Sequence, residues 1–371
     1  MSEIRKLALE DIPAVAGLFQ RVFLHRTGQS SAELQTYIRH LYLDFPGNDP
    51  EIGSLVHVRD DGVITGFVGG NALNYTFDGR TLRAGVCGSL MVEGRESDPL
   101  AGARLLKAFT SGPQDITFSE TASETSVAMF TKLRGSVLTN YSLDWLRIIR
   151  PGAFALQVGS ERMRPLRMFS PLVRGADRAF LGRMGAEDLR WSGVPSEHRA
   201  RGGFTVAEID VKAFLPLLDS FTSQFTVRPD WAPGQIEAIL ADAAQKVEYG
   251  PMTLASVSAR TGTPVGAFVY HLKPGGIGRV LQVLARPGQQ GSVLDAMIDH
   301  AAQAGAAALR GRTQPMLMDA MLGRRISFTH LASTVIRARD PEVLRAFQEG
   351  KGFFNGLAGE HWSRLIGDRF E

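Results

Sequence analysis

The segment 85–109 places a strand, a polar loop and a helix in an order that can bind an anion. Its first part, Val86–Val92, is a β-rich apolar run, and Gly, Arg, Glu, Ser, Asp and Pro form the loop that follows. Pro99 suits the first turn of a helix, and Ser97 or Asp98 suits its cap. A helix that begins directly after a strand exposes unpaired backbone N–H groups at the positive end of its dipole. The segment therefore predicts a phosphate or pyrophosphate site.

The same segment resembles the phosphate loop of the GCN5-related N-acetyltransferases, which reads roughly V-x-P-x-x-R-G-x-G-I-G-x-x-L-L. The matching positions are Val92, Gly102, Leu105 and Leu106. The departures are Gly94 for the Pro, Ser97 for the Arg, Asp98 and Leu100 for two glycines, and Ala101 for the Ile. Those glycines let a backbone approach a ligand closely, so the loop departs from the family pattern where the contact is tightest.

The order of elements around this loop resembles that of an acetyltransferase domain. Hydrophobic periodicity and turn signals in residues 1–151 predict the order β-α-α-β-β-β-loop-α-β-α-β. Asp60-Asp61-Gly62 predicts a hairpin, and a long strand, Val137–Ile149, is expected to close this part of the chain. In the family the middle strands form antiparallel hairpins, and the loop before the central helix holds the coenzyme pyrophosphate.

A weaker copy of the pattern recurs from Gly203. A strand is expected over Gly278–Ala285, a helix over Ser292–Ala304 and a final strand over Ile326–Ala338. The resemblance therefore implies an α+β fold with mixed, largely antiparallel central sheets flanked by helices, in two tandem domains of a bacterial member of the superfamily. The expected boundaries are 1–151 for an N-terminal domain, 152–202 for an Arg-rich connector, and 203–371 for a degenerate C-terminal domain.

The resemblance implies an acetyl-CoA-dependent N-acyltransferase that passes an acetyl or other acyl group directly to an amine. Such a reaction needs a positioned thioester, a base and a donor for the oxyanion. In the family a bulge beside the coenzyme often supplies the donor, which here is the N–H of Leu90, Met91 or Val92. The residues expected to contact acetyl-CoA, or another acyl-CoA, are Leu90, Met91, Val92, Arg95, Ser97, Leu100, Ala101, Gly102, Ala103, Ser123, Ser126 and Phe130.

The catalytic base of this family is frequently a Glu, sometimes acting through water. Glu93, Glu120 and Glu124 lie near the appropriate ends of their predicted elements. Each of the three is either the base or a solvated surface acid, and the sequence leaves both interpretations open.

The family's second signature, N-x-x-A/S-x-x-x-Y-x-x-x-G, contains a Tyr that protonates the thiolate. In the better of two registers, Ser123, Ser126 and Phe130 stand at the Asn, Ala/Ser and Tyr positions. Neither register supplies a Tyr. Either Tyr141 or Tyr75 replaces it, or the thiolate leaves unassisted, or this domain no longer catalyses.

Length and composition indicate an ordinary cytoplasmic protein without a membrane span. The 371 residues are 44% hydrophobic and 21% charged, with a net charge of +3. No stretch reaches the roughly 18 uninterrupted apolar residues that a span requires, and the first residues lack the apolar core of a signal peptide. Cys87, the single cysteine, is expected to be a buried thiol, and the histidines show no spacing typical of metal ligands, so no metal is expected.

The expected partner is a small-molecule or peptide amine, and a homo-oligomer is compatible with the sequence. Arg outnumbers Asp plus Glu over 157–202, but without interleaved aromatics a nucleic-acid site is not expected. Two other functions stay open: a non-catalytic acyl-CoA-binding or scaffold protein, and a tRNA-dependent peptidyl- or aminoacyl-transferase. Near the C-terminus, Trp362 is expected to anchor the chain, with Glu360 and His361 as surface polar residues.

Overall fold

The computed structural model describes residues 2–94, 96, 98–162, 173, 175–177, 179, 203–322 and 324–370. The chain divides into two compact units. Unit 1 comprises Met1–Ser142, Phe225–Asp242 and Ala332–Glu371, and unit 2 comprises Leu143–Gln224 and Ala243–Leu331. The predicted α+β class is confirmed, because each unit contains one mixed sheet with helices packed on it.

The strands of the described residues are β1 (Glu3–Lys6), β2 (Leu55–Val58), β3 (Ile64–Phe77), β4 (Arg80–Val92), β5 (Ile116–Ala122), β6 (Ser136–Val137), β7 (Leu143–Ile148), β8 (Phe204–Glu208), β9 (Val227–Asp230), β10 (Met252–Ala259), β11 (Pro264–His271), β12 (Ile277–Ala285), β13 (Ala308–Arg312), β14 (Ser327–His330) and β15 (Ser333–Ala338). The α-helices are α1 (Ile12–Val22), α2 (Ala32–Arg39), α3 (Ala101–Thr110), α4 (Glu124–Lys132), α5 (Pro151–Arg162), α6 (Val211–Thr222), α7 (Gln235–Ala244), α8 (Gln290–Gln303), α9 (Met318–Leu322) and α10 (Pro341–Gln348). A π-helical turn, His40–Asp44, continues α2.

The two sheets have the same plan. In unit 1 the order is β1-β2-β3-β4-β5-β15-β6, with β9 paired to the far end of β3. In unit 2 the order is β14-β7-β13-β12-β11-β10-β8. Each sheet has one parallel pair, β4 with β5 and β12 with β13, and every other pair is antiparallel. In both units the helix after the first strand of the parallel pair packs its apolar side on the sheet.

The two long strands expected at the ends of the tandem halves are each broken, and this part of the prediction is wrong. The stretch 137–149 divides into β6, a 3₁₀ turn over Thr139–Tyr141, and β7, while 326–338 divides into β14 and β15. In each case one half pairs in the sheet of unit 1 and the other half in the sheet of unit 2. Consequently the units do not follow the boundaries 1–151 and 203–371, and the connector 152–202 lies mostly outside the described residues.

The core of unit 1 forms where α3 packs on the central strands. Leu105, Leu106 and Phe109 repeat at helical spacing and are at most 3% exposed. They belong to the same buried cluster as Val68 of β3 and Cys87 of β4. The predicted buried thiol is confirmed, and α3 fixes the loop that precedes it against the sheet.

Candidate functional site

The parallel strands β4 and β5 separate in the middle of the sheet. They pair only at Ala84–Val86 with Ile116–Phe118. Beyond that point β4 continues along β3 up to Val92, whereas β5 continues along β15 up to Ala122. An opening therefore begins after Val86, with backbone of β4 on one side and of β5 on the other.

A bulge lies in β4 beside this opening. Gly69 of β3 pairs with Gly88 and Phe67 pairs with Met91, so Ser89 and Leu90 share the single position between them. Ser89 has a φ of 49°, a left-handed conformation that non-glycine residues seldom adopt. Such local strain persists where the surrounding structure holds it in place, and it is concentrated at functional sites. The bulge coincides with the segment from which the sequence predicted the oxyanion donor.

A tyrosine from the π-helical turn contacts this bulge. The Tyr42 hydroxyl donates a hydrogen bond to Ser89 Oγ at 3.0 Å. The ring is buried and packs edge-on against Phe67, and burial raises the pKa of Tyr42 well above its usual value. Single π-turns occur frequently at functional sites. The sequence missed Tyr42, because nothing in its spacing distinguishes a π-turn from the end of α2.

The loop between β4 and α3 is organised by its own backbone and by contacts of Asp98 with Arg104 and His57. The Asp98 N–H donates to Gly94 O, and the Ala101 N–H donates to Asp98 O. The Asp98 carboxylate pairs with Arg104 and lies 3.3 Å from His57 Nε2. The N-cap of α3 is Leu100, with no side-chain cap, so the predicted Asp98 cap is wrong. Arg95 and Ser97 lie outside the described residues.

The predicted coenzyme contacts around this loop lie at its two ends. Leu90 is half-buried, Met91 and Val92 are buried, and they lead into the loop. At the other end Leu100 is 64% exposed. The first turn of α3 follows with Ala101 buried and with Gly102 and Ala103 half-buried. Their contact with an acyl-CoA stays a prediction.

Four other predicted residues belong to α4 or cap it. Ser123 is the N-cap of α4, and its Oγ accepts the Ser126 N–H at 3.3 Å. Phe130 is 2% exposed in the core of unit 1. Glu124 lies in the first turn of the helix with an exposed side chain, where a negative charge is favourable. These contacts account for each of the four without a ligand.

Two further predicted catalytic residues are engaged elsewhere. Glu93 forms a two-pronged ion pair with Arg21, at 2.6 Å and 2.9 Å. Tyr141 is 1% exposed, and its hydroxyl donates to Gly352 O at 2.8 Å. Burial also raises the pKa of Tyr141 above its usual value. The hydroxyl is therefore a weaker acid, and it is already bonded to a backbone carbonyl. Tyr75 is fully buried as well.

Glu120, expected as a base or a solvated surface acid, instead contacts the C-terminal segment 355–361. Its carboxylate accepts the N–H of Gly356 at 3.2 Å, of Glu360 at 2.7 Å and of His361 at 3.3 Å. His361 Nδ1 lies 2.8 Å from the same carboxylate. Glu120 is fully buried. It holds this segment against β5.

The Glu360 carboxylate in turn accepts hydrogen bonds from β5 and lies in the opening between β4 and β5. Its Oε1 accepts the Glu120 N–H at 2.6 Å and the Ser119 hydroxyl at 2.9 Å, and its Oε2 accepts the Thr121 hydroxyl at 3.1 Å. A Cβ added at Gly88 would lie 3.1 Å from Oε2, so the carboxylate stands between β5 and β4. With 8% exposure, Glu360 is not the surface residue that the sequence predicted.

A pocket of about 560 Å³, including its open mouth, adjoins this carboxylate. Ser89 and Gly88 line one side, Tyr42 another, and Glu360 with Trp362 a third. Trp362 is 5% exposed and stacks on Phe45 with ring centres 5.0 Å apart, which agrees with its predicted role as an anchor. The bulge, the opening and a buried carboxylate thus meet in one pocket of unit 1.

Unit 2 repeats the strand, loop and helix, with an arginine beside its helix start. After β12 the chain enters α8 at Gln290, and the Arg324 guanidinium occupies the space that a Cβ on Gly291 would need. Arg324 pairs with Asp295 of α8 at 2.7 Å and 2.8 Å and donates to Ala320 O at 2.7 Å. The start of α8 therefore has a cation against it that is already bonded to a carboxylate.

The described residues contain neither a metal-ligand cluster nor a helix that could span a membrane. No group of His, Cys, Asp and Glu in that part of the chain is arranged to hold a metal ion. No helix there has both the length and the apolar character needed to cross a bilayer.

Solved structures share this fold across most of the chain. A GCN5-related N-acetyltransferase from Anabaena variabilis aligns with a TM-score of 0.59 at 9% identity, over 92% of this chain and 74% of its own. A conserved protein of Enterococcus faecalis described as a probable N-acyltransferase gives 0.57 at 10% identity, over 91% and 73%. A GCN5-related N-acetyltransferase from Kribbella flavida gives 0.55 at 12% identity, over 92% and 72%. No family profile and no curated protein matches the sequence.

The chain therefore has the fold of the GCN5-related N-acetyltransferase superfamily, as its sequence predicted. The similarity extends over both units, which confirms the expected tandem arrangement. At this level of identity the similarity defines the fold alone, and the chemistry depends on the residues that line the pocket of unit 1.

Proposed function

We propose that this protein transfers an acyl group from acetyl-CoA, or another acyl-CoA, directly to an amine, and that unit 1 performs the reaction. The observation that carries the proposal is the opening between β4 and β5 with the strained bulge at Ser89 on its edge. In unit 2 the side chain of Arg324, paired with Asp295, lies against the start of the corresponding helix.

The residues around the opening fit an acyl-CoA. When bound, acyl-CoA supplies an acyl carbon activated as a thioester. The edge of β4 is free of β5 beyond Val86, so an extended ligand arm has a strand edge to lie along. The amide groups at the start of α3 follow directly and suit a pyrophosphate. In this arrangement Leu90, Met91 and Val92 border the arm, and Gly102 and Ala103 border the phosphates.

The bulge supplies the polar group nearest to the reacting carbonyl. Because a bulge takes its extra residue out of the ladder, the N–H of that residue, Ser89 or Leu90, is available to an acyl oxygen. A positioned backbone donor of this kind contributes about 10²–10³ in rate. The Tyr42 hydroxyl fixes Ser89 and therefore the direction of this N–H group.

The alternative of an acyl-CoA-binding protein without catalysis has one observation in its favour. The position expected for the acid is filled by Phe130 in the core, and Tyr141 gives its hydroxyl to Gly352. Transfer then has to proceed without a tyrosine at that position. Steady thiol release with an amine separates the two functions, because a scaffold binds acyl-CoA but does not turn it over.

Calorimetric titration of acetyl-CoA into the purified chain tests the proposal first. Saturable binding followed by amine-dependent thiol release supports it. Absence of binding at millimolar acetyl-CoA contradicts both the enzymatic and the scaffold function.

A further inference from the structure

The pocket beside the bulge has apolar and aromatic walls. Leu41, Phe45, Leu73, Ile239 and Trp362 all line it, and each is at most 5% exposed. Such walls favour a ligand whose body is apolar, because transfer of apolar surface out of water is favourable. They offer little to a strongly hydrated body, which would lose its water without replacement.

Glu360 supplies a negative charge to this pocket. Ser119, Glu120 and Thr121 donate to it, and no Lys or Arg of the described residues forms an ion pair with it. Oε2 accepts only the Thr121 hydroxyl, so it can accept another hydrogen bond on the side that faces Gly88. A buried carboxylate without a cation is costly, and a cationic ligand would remove that cost.

Resting on the proposed function, we infer that the acceptor is a primary amine on an apolar aliphatic or aromatic body, with its ammonium group on Glu360. The apolar body lies against Leu73, Ile239 and Trp362, and the nitrogen lies beside the bulge. Glu360 also takes the proton that the ammonium must lose before it can attack.

The proton and group transfers balance as follows. The ammonium gives one proton to the Glu360 carboxylate and becomes a neutral amine. The amine nitrogen bonds to the acyl carbon, the carbon–sulfur bond breaks, and the second proton of the nitrogen passes to the sulfur. The products are an amide and a thiol, and Glu360 returns its proton to the solvent.

Several titratable groups face Glu360 and shape its proton affinity. Burial raises the pKa of Glu360, and the neighbouring charge of Glu120 acts in the same direction. His361, 2.8 Å from Glu120, opposes this effect when it is protonated. Tyr42 and Cys87 are also near, but burial keeps both protonated by raising the pKa of each. A carboxylate with a raised pKa is better matched to accept a proton near neutral pH.

The test uses the full chain, acetyl-CoA and a colorimetric assay of thiol release. The acceptors are 2-phenylethylamine, lysine and trialanine, which carry the same reacting group on an apolar, a charged and a peptide body. The variants are Glu360→Gln, Glu360→Asp and, as a matched surface control, Glu342→Gln, whose side chain is 67% exposed. The Gln amide can still accept from Ser119 and Glu120, so Glu360→Gln is expected to fold, with acetyl-CoA affinity within about threefold of the native chain.

The inference predicts a kcat/KM for 2-phenylethylamine at least about tenfold above those for lysine and trialanine. Glu360→Gln should lower it about 10²–10⁴-fold, and Glu342→Gln should leave it unchanged. The native enzyme should lose activity below an apparent pKa above the usual carboxyl value of about 4.3. This acid limb should persist in Glu360→Asp and vanish in Glu360→Gln.

A preference for lysine or trialanine, or full activity in Glu360→Gln, overturns the inference but leaves acyl transfer intact. Loss of acetyl-CoA binding in the native chain would instead remove the proposed function itself.

Discussion

The two units contain the same parallel pair of strands, but the residues beside that pair differ. In unit 1, β4 bulges at Ser89, and the opening toward β5 contains a buried carboxylate and a pocket. In unit 2, β12 also has a bulge, at Leu281, but its backbone does not adopt a positive φ. There Arg324 lies against Gly291 at the start of α8 and is bonded to Asp295.

The comparison separates what the fold supplies from what a site requires. Topology provides the opening in both units, since it follows from a parallel pair flanked by antiparallel strands. The distinguishing features are the strained residue, the buried carboxylate and the pocket beside it. We therefore propose unit 1 as the place of the chemistry, and the following predictions aim at the features that differ.

The largest effect is expected from filling the opening. Gly88→Val places a branched side chain against Glu360, whose Oε2 is 3.1 Å from where even a Cβ would lie. Displacement of the reacting groups by about 1 Å can cost about 10²-fold in rate. We expect thiol release to fall at least that far, while Gly53→Ala, with only ordinary contacts around its new Cβ, retains activity. Normal turnover in a folded Gly88→Val variant would place the reaction elsewhere.

Glu120→Gln should reveal the support that the C-terminal segment receives. The native carboxylate accepts three backbone N–H groups and pairs with His361. An amide leaves one or more of these donors unsatisfied, at about 1–3 kcal/mol. Urea unfolding should show a free energy of unfolding lower by that amount. An unchanged midpoint would mean that the segment is held by its other contacts.

Arg324→Ala tests whether the coenzyme binds at the helix start of unit 2. Removal of the pair with Asp295, whose two side chains are 22% and 14% exposed, should cost about 1–2 kcal/mol of stability. Acetyl-CoA affinity should stay within about twofold, because the coenzyme is expected in unit 1. A large change in calorimetric affinity would assign the coenzyme to the second loop.

The smallest effect is expected at Tyr141. Tyr141→Phe removes the hydrogen bond to Gly352, worth about 1 kcal/mol. Because that hydroxyl points into the core, kcat should be unchanged. A drop in kcat with intact stability would restore Tyr141 as the acid.

Local sequence signals predicted the elements well and their partners less well. Periodicity identified β4, α3 and their counterparts in unit 2, because each carries its own apolar pattern. It joined β6 to β7 and β14 to β15, since neither break contains a Gly or Pro that would mark a turn. Which sheet receives each half depends on contacts between residues far apart in the chain. No local pattern contains that information.

The site shows the same limit. The bulge lies in the segment where the sequence predicted the oxyanion donor, whereas Glu120, expected as a base or a surface acid, is buried and holds the C-terminal segment. Glu360 could not be predicted, because the run FFNGLAGEHW reads as an amphipathic tail, and only the structure shows Gly359 packed against Glu120. One signal was present: an acid inside the apolar strand that contains Glu120 needs a buried partner.

The most direct test is a crystal structure of the chain with coenzyme A. The account predicts electron density along β4 in the opening of unit 1, with the thiol beside Ser89 and the pyrophosphate at the start of α3. Density at the start of α8 in unit 2, or an opening in unit 1 that stays closed to the coenzyme at saturating concentration, would contradict it.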